Sequence, residues 1–545
     1  MGASVLQIQA KKKDVVLSWS RLRLLALSYA LLPVLLFIIG WLRRGVSLVA
    51  LAALAFVWLW SSLPSFRRRI PLWSTRFDSE GSNDADRTAS LGLQRISLLL
   101  LAVVAIAWVF FSGIGGFWAQ SSDFTARNSI FHSLVLEAWP VYFDGGMSAL
   151  VYYLNHWLPP AAIGKVMLLL SGDPDLAMSI ANVALCLWSA LGVFLAGLLV
   201  LFYLRASAFR SCVIGVLFLV FFSGMDIVGV IFRCLMGSSD VANHVFGMMH
   251  LEQWAGSSFV QYSSNTTLLY WVFNQTIIPW ICTLAVLIEP GPSRYVPFIL
   301  ACFGAGPYPT VGLAIICVAM GIQELVRAVQ AGRAVQLVRS ALSPANLCAM
   351  LLALVYVFFF MGNHSVSTSG ERMQAFGLAP GATLRLIVLF YLVEVGVYAI
   401  LLYRRYSKVP LYWLSVVILA VLPFVHFGSW YEVCFRVSIP FLMVICLLCA
   451  RMVIDDAPDL LGLPVGKTAS TWLLVIALAI GALTPVFEFA RGAVSVCRNG
   501  IEGSLQPATD IAGSTVEDGA QNNFKAPISD GSFFFTYLAE PYEGN

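Results

Sequence analysis

Charge is scarce in this sequence. Only 11% of its 545 residues are Asp, Glu, Lys or Arg, against 59% hydrophobic, and the mean hydropathy is +0.82. A net charge of +4, with no basic run interleaved with stacking aromatics, excludes a nucleic-acid partner. No GxxxxGK[ST] cradle occurs, which argues against an ATP-driven or nucleotide-sugar enzyme. The cysteines Cys186, Cys212, Cys282, Cys302, Cys317, Cys348, Cys446 and Cys449 fall inside apolar blocks and read as small buried hydrophobes. No internal repeat is visible, which weakens a carrier built from inverted halves. No small-residue cleavage site follows the first apolar run, so the segment behind Lys11 to Lys13 reads as a retained anchor.

Long apolar runs are what the chain has instead. They lack the ten-residue alternation of an outer-membrane barrel, and they satisfy their backbone groups as helices. The fold class is therefore all-α, a polytopic transmembrane helical bundle. Eleven spans are expected at 22–42, 45–64, 96–114, 177–204, 211–232, 266–288, 346–362, 383–403, 410–428, 437–451 and 469–488. The apolar stretch 295–320 is broken by Gly304 to Pro309 (GAGPYP), which predicts a re-entrant or short-helix hairpin.

Lysines and arginines set the orientation. Lys11 to Lys13 with Arg21 and Arg23, and then Arg67 to Arg69 with Arg76, Arg87 and Arg95, belong in the cytoplasm. Alternation sends loops 115–176 and 233–265 outside, and the hairpin keeps Arg327, Arg333 and Arg339 inside. Three regions follow: 1–95 with two spans and a basic loop, a core 96–488, and an external tail 489–545. The Gly-, Ser-, Asn- and Asp-rich stretch 499–531 reads as irregular. The aromatic run Ser532 to Leu538 is expected to pack on the helical body or anchor at the interface.

Three groups of polar residues stand at membrane depth or at its rim. The first follows span 96–114, where Gln120 to Asn128 (QSSDFTARN) place Asp123, Arg127 and Asn128 at the point of exit. Phe131, Leu134, Val135 and Ala138 have helical spacing, so a helix is expected to lie flat on the rim there, with His132 on it. A carboxylate at a partly dry rim can serve as a general base. Asp123 and Arg127, four apart, can equally just pair on a helix surface.

The second group is His250, Glu252 and Trp254, followed by Gln261, Tyr262 and Asn265, and then Asn274 and Gln275. Amides, hydroxyls and rings at this density suit a sugar-binding surface, or alternatively a polar seam between helices. His244, His250 and Glu252 have no recognised metal-ligand spacing. In the third group Arg436 opens a span and needs an anion, supplied by Glu432 four residues earlier or by a lipid phosphate. Arg372 is a further cation on the side where basic residues are otherwise rare, and Asp226 and Glu394 are acids within or near spans.

An apolar helix, an external loop opening on an acid, a rim helix and about a dozen further spans resemble the GT-C class of integral-membrane glycosyltransferases. The resemblance implies a polyprenyl-phosphate-linked sugar donor and a glycan or lipid acceptor at the bilayer. It places Asp123 as base, with Arg127, Asn128 and His132 positioning it, and Arg436 with Arg372 on the donor phosphate. Many members pair two acids in this loop, whereas Ser121 to Phe124 carry one, and two spans precede the loop here. That departure leaves a divalent cation open as a cofactor. The blocks QYSSNTT, FNQ and FRVSIP are similar to those of bacterial multi-spanning proteins, which implies a bacterial plasma membrane. Rival readings are a transporter or flippase of a lipid-linked or anionic substrate, and a membrane glycan polymerase or ligase.

Overall fold

The computed structural model describes residues 14–62, 90–237, 250–255, 260–289, 291–363, 376–378, 382–426, 432–456, 465–509, 511, 524–528 and 531–542. In chain order β1 (Asp14–Ser18) leads into α1 (Trp19–Trp41) and α2 (Arg44–Ser62), and β2 (Ser90–Gln94) leads into α3 (Arg95–Phe111). The first large loop contains α4 (Phe124–Leu136), β3 (Tyr142–Phe143), β4 (Ser148–Leu150) and α5 (Leu158–Ser171). Then come α6 (Pro174–Leu204), α7 (Phe209–Phe221), α8 (Asp226–Leu235), α9 (Asn265–Val272) and α10 (Ile277–Ile288). Next are α11 (Tyr295–Ala305), α12 (Pro307–Gln330), α13 (Ala334–Ala341), α14 (Pro344–Met361) and α15 (Leu384–Tyr406). The last elements are α16 (Pro410–Val421), α17 (Glu432–Val437), α18 (Ile439–Asp456), α19 (Val465–Gly481), α20 (Leu483–Asn499) and β5 (Lys525–Pro527).

The protein is a helical membrane protein: 76% of the structure is helix and no sheet closes. Among the described residues, seven helices are long and apolar enough to cross a bilayer, or nine if each of two bent pairs is one crossing. The sequence reading expected eleven. The difference lies in stretches such as 96–114 and 410–428, whose helices have 17 and 12 residues, about 26 and 18 Å at 1.5 Å per residue and short of a ~30 Å hydrocarbon core. Segment 295–320 does break at Gly306, but its second arm, α12, has 24 residues where a short half-helix was expected. The amide of Asn346 donates to both Pro292 O and Ala341 O at 2.8 Å, so the start of α11 and the end of α13 lie side by side.

One end of the bundle is ionic. Arg23 pairs with Glu289 at 2.8 Å, Trp19 Nε1 donates to the same carboxylate at 2.6 Å, and Arg294 approaches it at 3.7 Å. Ring contact between Trp19 and Phe202 joins this patch to the foot of α6, where Arg451 donates to Leu204 O and to Asp455. Arg405 binds Asp455 and Asp456, each at 2.7 Å. Small residues let the helices close up along their length: a Cβ on Gly197 would lie 2.4 Å from Leu101. Cys446 and Cys449, two leucines apart, are buried free thiols on α18, and Cys446 Sγ donates to Phe218 O at 3.6 Å.

The opposite end is capped by the chain's own tail, and here several expectations change. Helix α20 runs to Asn499, past the span end expected at 488, with Glu488 and Arg491 paired one turn apart on it. Residues 500–509 and 524–528 lie on the first large loop, irregular apart from a short turn at Glu502–Ser504 and strand β5. Strand β5 pairs with β4 and β4 with β3, all antiparallel. Gln120 N donates to Ser504 O, and Thr509 N donates to Ser129 Oγ at 2.8 Å. Phe534 and Phe535 are buried; Phe534 meets Phe37 and Phe359, and Arg43 donates to Ala539 O at 2.7 Å. Ring pairs of this kind contribute about 0.5–1.5 kcal/mol each beyond area burial.

Lys525 clasps β5 to the loop through Asp144 at 3.1 Å. A hydrogen bond from Ser148, with help from Lys525, holds the Asp144 carboxyl below its ordinary range. A depressed folded-state pKa stabilises the protein above the unfolded value of about 3.9, and the effect is lost as pH falls through the folded one. We expect Asp144→Asn to lower the melting temperature at pH 7 and to match wild type once the medium is more acidic than that; equal melts at pH 7 would mean the clasp is idle.

Candidate functional site

Four interruptions of regular structure meet near the capped end. Helices α9 and α10 bend by 103° at the turn Phe273–Gln275. Thr276 Oγ1 donates back to Val272 O at 2.9 Å, and Pro279 near the start of α10 supplies no amide, so the helix cannot run straight through. The others are the Gly306 break between α11 and α12, the loop 151–157, and the step from α17 to α18 ahead of Pro440. Each interruption releases backbone and side-chain polar groups from helical pairing, the usual way a membrane bundle builds a polar site.

Phe273 is the hub. Its ring contacts Phe124 at 5.7 Å, His156 at 5.3 Å and Trp157 at 5.7 Å, joining the start of α4 to loop 151–157. Gln275 lies against Gly306, where a Cβ would meet its side chain at 3.2 Å, and Asn155 lies against Gly304. Arg436 acts electrostatically on both Tyr153 and Tyr308. Ring contacts thus run from Arg127 through Phe124 and Phe273 to loop 151–157, with Arg436 in electrostatic reach of that loop's Tyr153.

Eight unpartnered polar atoms lie along that series. Arg127 Nη1, Asn155 Nδ2, His156 Nδ1, Trp157 Nε1, both amide atoms of Asn274, Gln275 Oε1 and Arg436 Nε are buried with no hydrogen-bond partner among the described residues. Leaving such an atom unsatisfied costs roughly 1–3 kcal/mol. Several within one layer mark a place where a polar guest belongs.

The proposed residues fare unequally against this geometry. The Asp123 side chain is 48% exposed and pairs with Arg127 at 3.1 Å. Helix α4 buries Phe124, Ile130, Phe131, Leu134 and Val135 and packs on α5 and α6. Asn128 does not touch Asp123; its amide donates to Gln120 Oε1 at 3.0 Å and to Gln506 O at 2.7 Å. His132 faces outward, exposed. Arg436 has Glu432 as its anion, and Arg372 and His244 lie outside the described residues.

Most of the expected sugar-binding set forms the polar seam that was its alternative. Trp254 Nε1 donates to Glu394 at 2.9 Å, Gln261 to Glu252 at 2.8 Å and Asn265 to Leu219 O at 2.9 Å, while the Tyr262 hydroxyl donates to Leu419 O. His250 stacks on Trp271 and faces Glu488 at 3.6 Å. Asn274 and Gln275 remain at the junction. Asn155, Trp157, Tyr153 and Tyr308 were not singled out as site residues, although GAGPYP and an Asn-His-Trp run inside apolar sequence were the available signals.

The seam contains three buried acids. Asp226 Oδ2 accepts from Ser223 at 3.0 Å and from Thr484 at 2.8 Å. Glu252 accepts from Ser264 N at 2.8 Å, and Glu394 sits in a π-turn, Leu392–Gly396, within α15. The Asp226 and Glu394 side chains act on each other electrostatically, and Asp226 Oδ1 and Glu394 Oε2 are buried without a hydrogen-bond partner among the described residues. No cluster of three His, Cys, Asp or Glu able to hold a metal occurs among the described residues. No family model, curated protein or solved structure matches this chain. Its function must be argued from this geometry.

Proposed function

We propose that the protein is a glycosyltransferase that moves a sugar from a polyprenyl-phosphate carrier to a cell-envelope glycan or lipid, at the outer face of a bacterial plasma membrane. One observation carries the reading: unsatisfied amide, indole and guanidinium groups gathered where broken helices meet, between Asp123 and Arg436. The end rich in Arg23, Arg405 and Arg451 then faces the cytoplasm, as does the N-terminus, and the capped end with the C-terminus faces out.

In this reading Asn274, Gln275, Asn155 and Trp157 take the sugar, which offers paired donors and acceptors and a ring face. The acceptor hydroxyl gives its proton to Asp123 as its oxygen attacks the anomeric carbon. The bond from that carbon to the phosphate oxygen breaks, and the carrier leaves as polyprenyl phosphate with the electron pair. Arg436 stabilises the charge that develops there, with Nε left over from its Glu432 pair. Arg127 holds Asp123 in place. The test is transfer from radiolabelled polyprenyl-phosphate sugars by the full chain in nanodiscs. Failure with every such donor, in preparations that bind the carrier, would end the proposal.

The neighbouring buried carboxyls of Asp226 and Glu394 favour a second reading, a proton-coupled carrier of a lipid-linked or anionic substrate. Glu394→Gln separates the two. As a transferase the variant keeps its rate within about threefold, since Glu394 contacts the seam and not the junction. A carrier would lose pH-driven uptake into proteoliposomes.

A further inference from the structure

A second polar hollow lies on the other side of Gln120. The cavity, about 220 Å³, opens between the last turn of α3 and the outer part of α20, many times the ~10–15 Å³ one water requires. None of the junction's unpartnered residues lines it, nor does Asp123. Its polar wall consists chiefly of Gln120, Tyr270, Glu488, Arg491 and Arg498.

The charges in it are not balanced. Glu488 Oε2 is spent on Trp271 Nε1 at 3.1 Å and on Arg491 Nη2 at 2.7 Å and Nε at 3.2 Å, and its other oxygen faces His250. That pairing leaves Arg491 Nη1 over. Arg498, two turns along the same face of α20, forms no ion pair among the described residues. Tyr270, 3% exposed, lines the space, and its hydroxyl has no hydrogen-bond partner among the described residues. Gln120, by contrast, is fully used by Gly113, Asn128 and Gln506 and serves as a fixed wall. Phe111 and Val494 make the remainder apolar.

We propose that this cavity binds a phosphate group, held between Arg491 and Arg498 with the Tyr270 hydroxyl donating to it. Two guanidiniums against one saturated carboxylate select an anion, and a fork of donors with a phenol suits the tetrahedral oxygens of phosphate. The apolar wall accommodates the carbon part of a phosphate ester. The site stands apart from the transfer reading and holds whether or not the junction is a transferase.

The experiment uses the full chain in two arms. One titrates inorganic phosphate into protein in phosphatidylcholine nanodiscs by calorimetry; the other measures phosphatidic acid retained on the detergent-purified protein by native mass spectrometry. Saturable binding is expected in at least one arm, weakened about tenfold or more by Tyr270→Phe and by Arg498→Gln. Both substitutions leave the melting temperature unchanged, since neither side chain holds a structural partner. Binding in the first arm assigns a soluble phosphate, and binding confined to the second assigns a lipid headgroup. No saturable binding in either arm, or binding that either substitution leaves unchanged, overturns the site.

Discussion

Asp123→Asn is expected to lower sugar transfer about 10³-fold, the range for loss of a general base, with carrier binding and melting temperature within error of wild type. Asparagine keeps the shape of the side chain and one acceptor for Arg127, but cannot take a proton from an attacking hydroxyl. The carboxylate suits the role because it is half exposed at the head of α4 while its partner, Arg127, is buried. One face is fixed and the other is open to an acceptor. A rise in KM alone would mean that Asp123 only orients substrate, and an unchanged rate would move the base elsewhere in the junction.

Gly224→Ala should destabilise the protein by about 3 kcal/mol or more. A Cβ there would sit 1.6 Å from Glu394 Oε2, 2.6 Å from its Cδ and 3.0 Å from its Cα. The side chain could swing away only by giving up its bond to Trp254, and the backbone of α15 would still block the way. Gly45→Ala is the matched control, with nothing within 4 Å of its Cβ. Thermal unfolding in detergent measures both, and a Gly224→Ala protein that melts with wild type would mean the seam is far looser than its hydrogen bonds indicate.

The two expectations draw on parts of the molecule that were unequally legible beforehand. Asp123 and Arg436 stood out because a charge beside an apolar run needs an explanation, and that rule works without a structure. Their immediate partners, Arg127 and Glu432, were also readable, each one helical turn away. Asn128 donates to Gln120 and to Gln506 O, the latter 378 residues later and beyond any local pattern. Trp254, Gln261 and Tyr262 look in sequence like a surface for carbohydrate. Their polar atoms meet Glu394, Glu252 and Leu419 O instead, and composition alone cannot distinguish a side chain awaiting a ligand from one already satisfied. Helix α20 illustrates the same limit: Glu488 and Arg491 lowered its hydropathy enough to suggest an end, whereas Trp271 and His250 make that turn a buried one.

Hydropathy by itself determined that this chain is a helical membrane protein, because the cost of an unpaired peptide group in hydrocarbon is paid residue by residue and leaves long apolar runs no other conformation. Tertiary structure decided which polar groups were left over: whether the tail stayed loose or closed over the first loop, whether Asp226 faced solvent or Glu394, and whether Asn274 and Gln275 found partners. Those outcomes depend on donors and acceptors meeting across hundreds of residues, through breaks at Gly306 and Phe273–Gln275 whose angles no local pattern specifies.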